Sequence, residues 1–183
     1  MEGNSYASAE ELIAAIVAKF GSDARFHTCS ASDMDAASLV AFFEAKVKVT
    51  GAYKDRFDQA GLMLRIDREN WIKAGIEFVD GHYNVSAVVT HGKSDWSVIK
   101  LDKPIEALWI KAVRRRDAVE IFYSFDDKDY TMMRNAWFQD NVPVKVGPVA
   151  AAPDGNGFEA RFSDFTVKHL PDARRLEWLE SHK

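Results

Sequence analysis

Hydrophobic and polar side chains alternate along residues 57–99, and this period of two constrains the fold more than any other feature. Within residues 71–78, every even-numbered position is apolar, whereas the odd-numbered positions carry Trp, Lys, Gly and Glu. This pattern is typical of a half-buried strand, because successive side chains of a strand point to opposite faces. Asp80-Gly81 follows and supplies the positive φ angles of a two-residue hairpin turn. The stretch therefore predicts an antiparallel β-hairpin.

The same period continues toward the end of the chain. Further strands are predicted at residues 96–101, 107–113, 118–125, 131–138, 145–152 and 158–167. Segments rich in Asp, Asn, Gly and Pro separate them, as expected for turns. About ten short strands with no helices between them predict an antiparallel sandwich or barrel.

The first part of the chain has a helical pattern instead. Ser8 and Glu11 form a capping box ahead of apolar residues at helical spacing, and Asp35 can begin a second helix after a short strand. We therefore divide the chain into a helix–strand–helix segment at 1–43, a β-sandwich at 44–170 and a tail at 171–183, where a short helix is predicted.

Composition and charge exclude several classes of protein. The net charge is −4, with no basic stripe of the kind that binds nucleic acid. No run of about 18 apolar residues is present, so no membrane span is expected, and the N-terminus carries no signal-peptide pattern. Cys29 is the single cysteine, which excludes an internal disulfide. These features favour a cytoplasmic location. The one basic run, Arg114–Arg116, is predicted to be a solvated hairpin tip.

Several motifs in the strand-rich part match a known family. They are Asp58–Met63, Asn70–Glu77, Val89–Ser97, Val146-Gly147-Pro148 and Phe158–Phe165. Through them, residues 44–169 resemble the DUF1349 family, which includes fungal proteins named for regulation of enolase. The resemblance implies a concanavalin A-like jelly roll, a fold shared by lectins and glucanases, but lacking the opening strands of the family.

A different family matches the N-terminal part. Glu11–Ile16 and Phe20–Ser30 carry the match. Residues 4–46 resemble the YecH-like family, whose members are regarded as metal-binding. This match is truncated as well, because the family's other His and Cys positions are missing. The chain therefore resembles a junction of two families near residues 42–47, either a natural fusion or a chimera.

A sandwich without its opening strands exposes unpaired edges and an apolar face. Two solutions stay open at this point. The N-terminal segment can cover that face through Leu39, Val40 and Phe43, or a second chain can cover it in a homodimer.

His27 and Cys29 are the pair with metal-ligand character. Two residues apart on a strand, an imidazole and a thiolate share a face, which suits zinc or copper. A complete site needs about three or four ligands, so a dimer pooling two pairs is one route and a small polar cluster is the alternative. We expect no other cofactor.

Two groups of side chains are candidates for a ligand-binding site on the concave sheet face and its rim. They are Trp71, Lys73 and Glu77 on one predicted strand, and His91, Ser94, Asp95 and Trp96 in or beside the following loop. Sugar sites combine an aromatic face with a few placed polar groups. The alternative is that the two tryptophans cover a core edge and that Lys73 and Glu77 form a solvated ion pair. Trp109 and Trp137 are predicted to be core.

Catalysis has weaker support. Jelly-roll glycosidases need two carboxylates flanking the scissile bond, and their E-x-D-x-x-E strand signature does not occur. Cys29 with His27 as a base lacks an orienting carboxylate. The leading prediction is a non-catalytic module that binds a carbohydrate or a small polar metabolite. The alternative is a metal-binding accessory protein acting through His27 and Cys29.

Overall fold

The computed structural model of the protein describes residues 13–15, 17, 18, 42–140 and 142–170. The five described residues between 13 and 18 are helical, in agreement with the predicted first helix. The other elements predicted for residues 1–41 and the tail at 171–183 lie outside the described residues. Within the described part of the chain, no helix is long and apolar enough to cross a membrane.

Ten strands form the described body of the protein. They are β1 (Phe42–Gly51), β2 (Gln59–Arg65), β3 (Asn70–Val79), β4 (His82–His91), β5 (Lys93–Lys100), β6 (Leu108–Arg115), β7 (Ala118–Ser124), β8 (Thr131–Trp137), β9 (Lys145–Ala151) and β10 (Ala160–His169).

These strands build two five-stranded antiparallel sheets. The first sheet has the order β10-β1-β6-β7-β8, and the second has the order β5-β4-β3-β2-β9. The predicted β3–β4 hairpin is present, with Asp80 at φ 50° and Gly81 at φ 79°. Both residues of the turn are thus left-handed, as a two-residue hairpin loop requires. The prediction of a mainly β antiparallel sandwich is confirmed.

The core lies between the sheets and follows the two-residue period. Val47 of β1, Leu62 of β2, Ile72 of β3 and Ile110 of β6 are each 1% exposed or less. Their neighbours along each strand point away from the core. Full burial of one such side chain contributes about 1.5–3 kcal/mol to the stability of the folded state. Burial of the apolar side chains between the sheets is therefore the main stabilisation of the fold.

A glycine pair brings β2 and β3 unusually close on the outer side of the second sheet. Gly61 lies directly opposite Gly75. A Cβ atom at Gly61 would lie 2.0 Å from the carbonyl oxygen of Ala74, and one at Gly75 would lie 2.1 Å from that of Ala60. No side chain fits at either position without moving backbone atoms, so this part of the sheet surface is bare.

Three residues depart from their predicted environments. Arg114 is 1% exposed, so the prediction of a solvated hairpin tip is wrong for this residue. Trp137 is 59% exposed at the end of β8 rather than core. Trp109 lies on the outer face of the first sheet, where the Nζ atom of Lys48 sits 4.7 Å from its ring centroid. In each case the local alternation predicts the strand correctly, but it does not predict which residues pack against these side chains.

The start of the sandwich also differs from the prediction. β1 begins at Phe42, and Phe43 points into the core at 9% exposure. Phe43 is therefore part of a strand, not of a covering helix, while Leu39 and Val40 lie outside the described residues. On the edge strand β10, Phe165 and Val167 are 42% and 52% exposed.

Candidate functional site

The outward surface of the second sheet carries a mixture of aromatic, polar and charged side chains. We call it the site face. Its members on the three strands β3, β4 and β5 are Trp71, Lys73, Glu77, Asn84, Ser86, Thr90, Ser94, Trp96, Val98 and Lys100. They share the face because each alternates with a residue that points into the core or toward the first sheet. The register places Glu77, Asn84 and Lys100 in one row across the strands.

The side chain of Trp96 is fixed across the sheet. Its Nε1 atom donates a hydrogen bond of 2.9 Å to Oε2 of Glu77. Because β4 separates β5 from β3, the two backbones are about 10 Å apart, and the indole reaches Glu77 only by lying along the sheet over β4. Val88, directly opposite Trp96, is 8% exposed beneath it, yet 48% of Trp96 itself stays exposed. The arrangement presents one aromatic surface to solvent.

Glu77 is held by a second partner. The Nζ atom of Lys73 lies 3.9 Å from its Oε1 atom, and the two side chains are 14% and 7% exposed. The pair is therefore largely buried, not solvated. Burial lowers the pKa of Lys73, and the carboxylate of Glu77 partly offsets that effect. Between Lys73 and Trp96, the carboxylate has both oxygens engaged.

A cavity of about 260 Å³ opens at the end of the site face, next to the β3–β4 turn. Its lining residues are Val79, Asp80, His82, Asn84, Trp96, Val98 and Lys100. Asn84 forms part of the floor, where its Nδ2 atom donates to the backbone oxygens of Glu77 and His82 at 3.3 and 3.0 Å. The cavity thus joins an aromatic wall to several hydrogen-bonding and charged groups.

The sheet brings together five of the seven residues predicted for ligand binding. These are Trp71, Lys73, Glu77, Ser94 and Trp96. Trp71 lies opposite Thr90, which lies opposite Ser94, and the two hydroxyl oxygens of Thr90 and Ser94 are 2.8 Å apart. Ser94 and Trp96 lie within a strand rather than a loop, since Gly92 is the one residue between β4 and β5.

Asp95 and His91 do not lie on the site face. Asp95 points to the other side of β5, where it forms an ion pair with Arg134 of β8. His91 ends β4, with its Nε2 atom 3.1 Å from the backbone oxygen of Trp137 and its ring 4.9 Å from that indole. Both residues contact β8 of the first sheet. Asp95 is excluded by parity, because Ser94 and Trp96 on either side of it face outward.

Sequence analysis did not find three of the polar residues on this face. Asn84, Ser86 and Thr90 are 7%, 1% and 5% exposed on the outward side of β4. The sequence does contain a pattern that indicates them, because these three polar residues occupy even-numbered positions of an otherwise apolar strand. On a strand that is apolar on its other side, such spacing indicates a polar face.

The predicted metal ligands cannot be placed. His27 and Cys29 lie outside the described residues. Among the residues that are described, no group of three or more His, Cys, Asp or Glu side chains is arranged to hold a metal ion.

Comparison with known proteins agrees with this architecture. The family model described as "Protein of unknown function (DUF1349)" matches residues 12–170. The chain belongs to the DUF1349 family. The match begins well before the predicted residue 44, so it also includes N-terminal residues that the sequence analysis assigned to a different family.

Two curated relatives match the chain in part. Regulation of enolase protein 1 of Saccharomyces cerevisiae is 38% identical over 125 residues, which is 68% of this chain and 63% of the relative. Uncharacterized protein YecH of Escherichia coli is 59% identical over 46 residues, which is 25% of this chain and 57% of YecH. The chain therefore spans less than two thirds of the length of either relative.

Solved structures share the fold. A functionally unknown protein from Saccharomyces cerevisiae superposes with a TM-score of 0.67 at 36% identity, over 72% of this chain and 71% of the other. A xylan beta-1,4-xylosidase from Bacillus halodurans has a TM-score of 0.62 at 16% identity, over 70% of this chain and 28% of the enzyme. The second likeness is one of fold alone.

Proposed function

We propose that this DUF1349 protein is a non-catalytic binding module that holds a carbohydrate or a small polar metabolite on the site face. The observation that carries the proposal is the exposed indole of Trp96, laid over β4 and anchored to Glu77. Sugar rings stack on such an aromatic surface, and a fixed ring loses little conformational entropy on binding. The adjoining cavity supplies polar groups for hydroxyls.

The chemistry of the site face supports binding rather than hydrolysis. Glycosidases of the common two-carboxylate type place their acids on both sides of the bond to be broken. Among the described strands, Glu77 is the one carboxylate on this face, and it is engaged by Trp96 and Lys73. The yeast relative is named for regulation of enolase and not for a reaction of its own, which agrees with a binding role.

Replacing Trp96 with alanine tests the proposal. On a glycan array, and then by calorimetry with the best ligand found, we expect the wild-type chain to bind and Trp96→Ala to lose at least about tenfold in affinity. Loss of a central aromatic contact commonly costs more than about 1.4 kcal/mol, which corresponds to that factor.

Trp137→Ala is the matched control, because Trp137 is also about half exposed, at 59%, but lies on β8 of the other sheet. It should bind like the wild type. Equal binding by wild type and Trp96→Ala, or loss of binding only in the Trp137 variant, would place the ligand elsewhere and refute the proposal.

The second candidate, zinc or copper binding by His27 and Cys29, stays a prediction. A titration of the full chain with each metal should show stoichiometric uptake if it is correct, and Cys29→Ser should abolish that uptake because the thiolate is the stronger ligand. Uptake that survives in the Cys29→Ser variant would rule this pair out as the site.

A further inference from the structure

The cavity on the site face is lined by one ammonium group, that of Lys100, and by one carboxylate, that of Asp80. Lys100 and His82 line it and are exposed, and neither forms an ion pair with any described residue. Asp80 also lines it, but the Oδ1 atom of Asp80 lies 3.5 Å from Nε of Arg56, so its charge is offset. An approaching anion would therefore meet the ammonium group of Lys100, while the carboxylate in the lining, that of Asp80, is paired with Arg56.

Glu77 does not change this balance. Although its carboxylate is close to the cavity through Trp96, Lys73 lies 3.9 Å away and supplies the opposite charge in a shielded environment. The row Glu77, Asn84 and Lys100 thus runs from a neutralised ion pair to a cation that has no ion-pair partner among the described residues, with an amide between them. Such a gradient favours a ligand whose negative end points toward β5.

The cavity has room for about one sugar ring. Pockets for drug-sized molecules enclose about 300–1,000 Å³, and this one encloses about 260 Å³. Trp96 and Val98 supply apolar surface for one face of the ring, while Asn84 and Lys100 supply polar contacts at its edge.

We propose that the site face selects a monosaccharide with an anionic substituent, either a carboxylate or a phosphate. The ring stacks on Trp96 and the anion lies at Lys100. A lysine ammonium is a compact charge with three hydrogen-bond donors and binds either anion. A sugar carboxylate and a sugar phosphate would therefore be recognised in the same way. This inference rests on the proposed function and adds the charge of the ligand to it.

The test compares glucuronate, glucose 6-phosphate and glucose, titrated into the full chain at low ionic strength. At least one of the two anionic sugars should bind about threefold to fivefold more tightly than glucose, the range expected for a solvent-exposed ion pair. Lys100→Met should reduce that affinity to the value for glucose. Added salt should weaken the preference, because it screens exposed charges.

Lys145→Met is the matched control, since Lys145 is exposed on β9 at the opposite edge of the same sheet. It should keep the preference. A gain for glucuronate alone would identify a sugar acid, and a gain for glucose 6-phosphate alone would identify a sugar phosphate.

Equal affinity for all three sugars, or a preference that persists in Lys100→Met, would overturn the charge selection and leave the binding function intact. If none of the three binds, the inference fails, and the proposed function is then decided by the glycan array.

Discussion

Replacing Gly61 with alanine should lower the free energy of unfolding by about 3 kcal/mol, toward the upper end of the cost of overpacking. The added Cβ atom would lie 2.0 Å from the carbonyl oxygen of Ala74. That contact is with backbone, so relief requires β2 and β3 to separate and their ladder to distort. Urea denaturation followed by circular dichroism measures the change.

Gly147→Ala is the control for this experiment. Gly147 lies on the neighbouring strand β9, opposite Met63, and a Cβ atom there would meet nothing within 4 Å. Alanine at this position should be neutral or slightly stabilising, because glycine weakens a strand. If both variants unfolded at the same urea concentration, close approach of β2 and β3 would not be the reason for glycine at position 61.

Arg114→Ala should destabilise the protein by about 3–5 kcal/mol, the range seen when a buried polar anchor is removed and a cavity is left. The guanidinium donates through Nε to the carbonyl oxygen of Arg116 at 3.0 Å and through Nη2 to that of Gln139 at 2.6 Å. Its loss leaves both oxygens without that donor. Thermal and urea unfolding should shift in parallel.

The next residue along the chain gives the comparison. Arg115 is exposed at the end of β6, so Arg115→Ala should change stability by no more than about 0.5 kcal/mol. Arg114→Met keeps much of the volume and should fall between the two alanine variants. Similar stabilities for Arg114→Ala and Arg115→Ala would contradict the anchoring role.

Local pattern was sufficient to predict most of the sheet structure. The turn at Asp80-Gly81 needs only two residues with positive φ, and both adopt it. The parity of residues 71–78 predicts Trp71, Lys73 and Glu77 on one face, because successive side chains of a strand point to opposite faces. The start of β1 at Phe42 was missed by two residues, at the point where the period changes.

Contacts between distant strands could not be predicted in this way. The Trp96–Glu77 bond depends on the sheet order β5-β4-β3, and the burial of Arg114 depends on Gln139, which lies 25 residues further along the chain. A two-residue period carries no information about the order of strands in a sheet or about contacts between residues far apart in the chain. The exposed position of Trp137 has the same origin, because it depends on β8 being an edge strand of the first sheet.

The single residue Gly92, at φ 68°, joins β4 to β5. An insertion of one residue within β5, between this link and Trp96, would reverse the parity of everything that follows. The indole would then turn toward the first sheet, and Glu77 would lose its distant donor. Proteins with this strand plan can therefore vary the site face by exchanging side chains, whereas a longer β5 would turn those side chains away from that face.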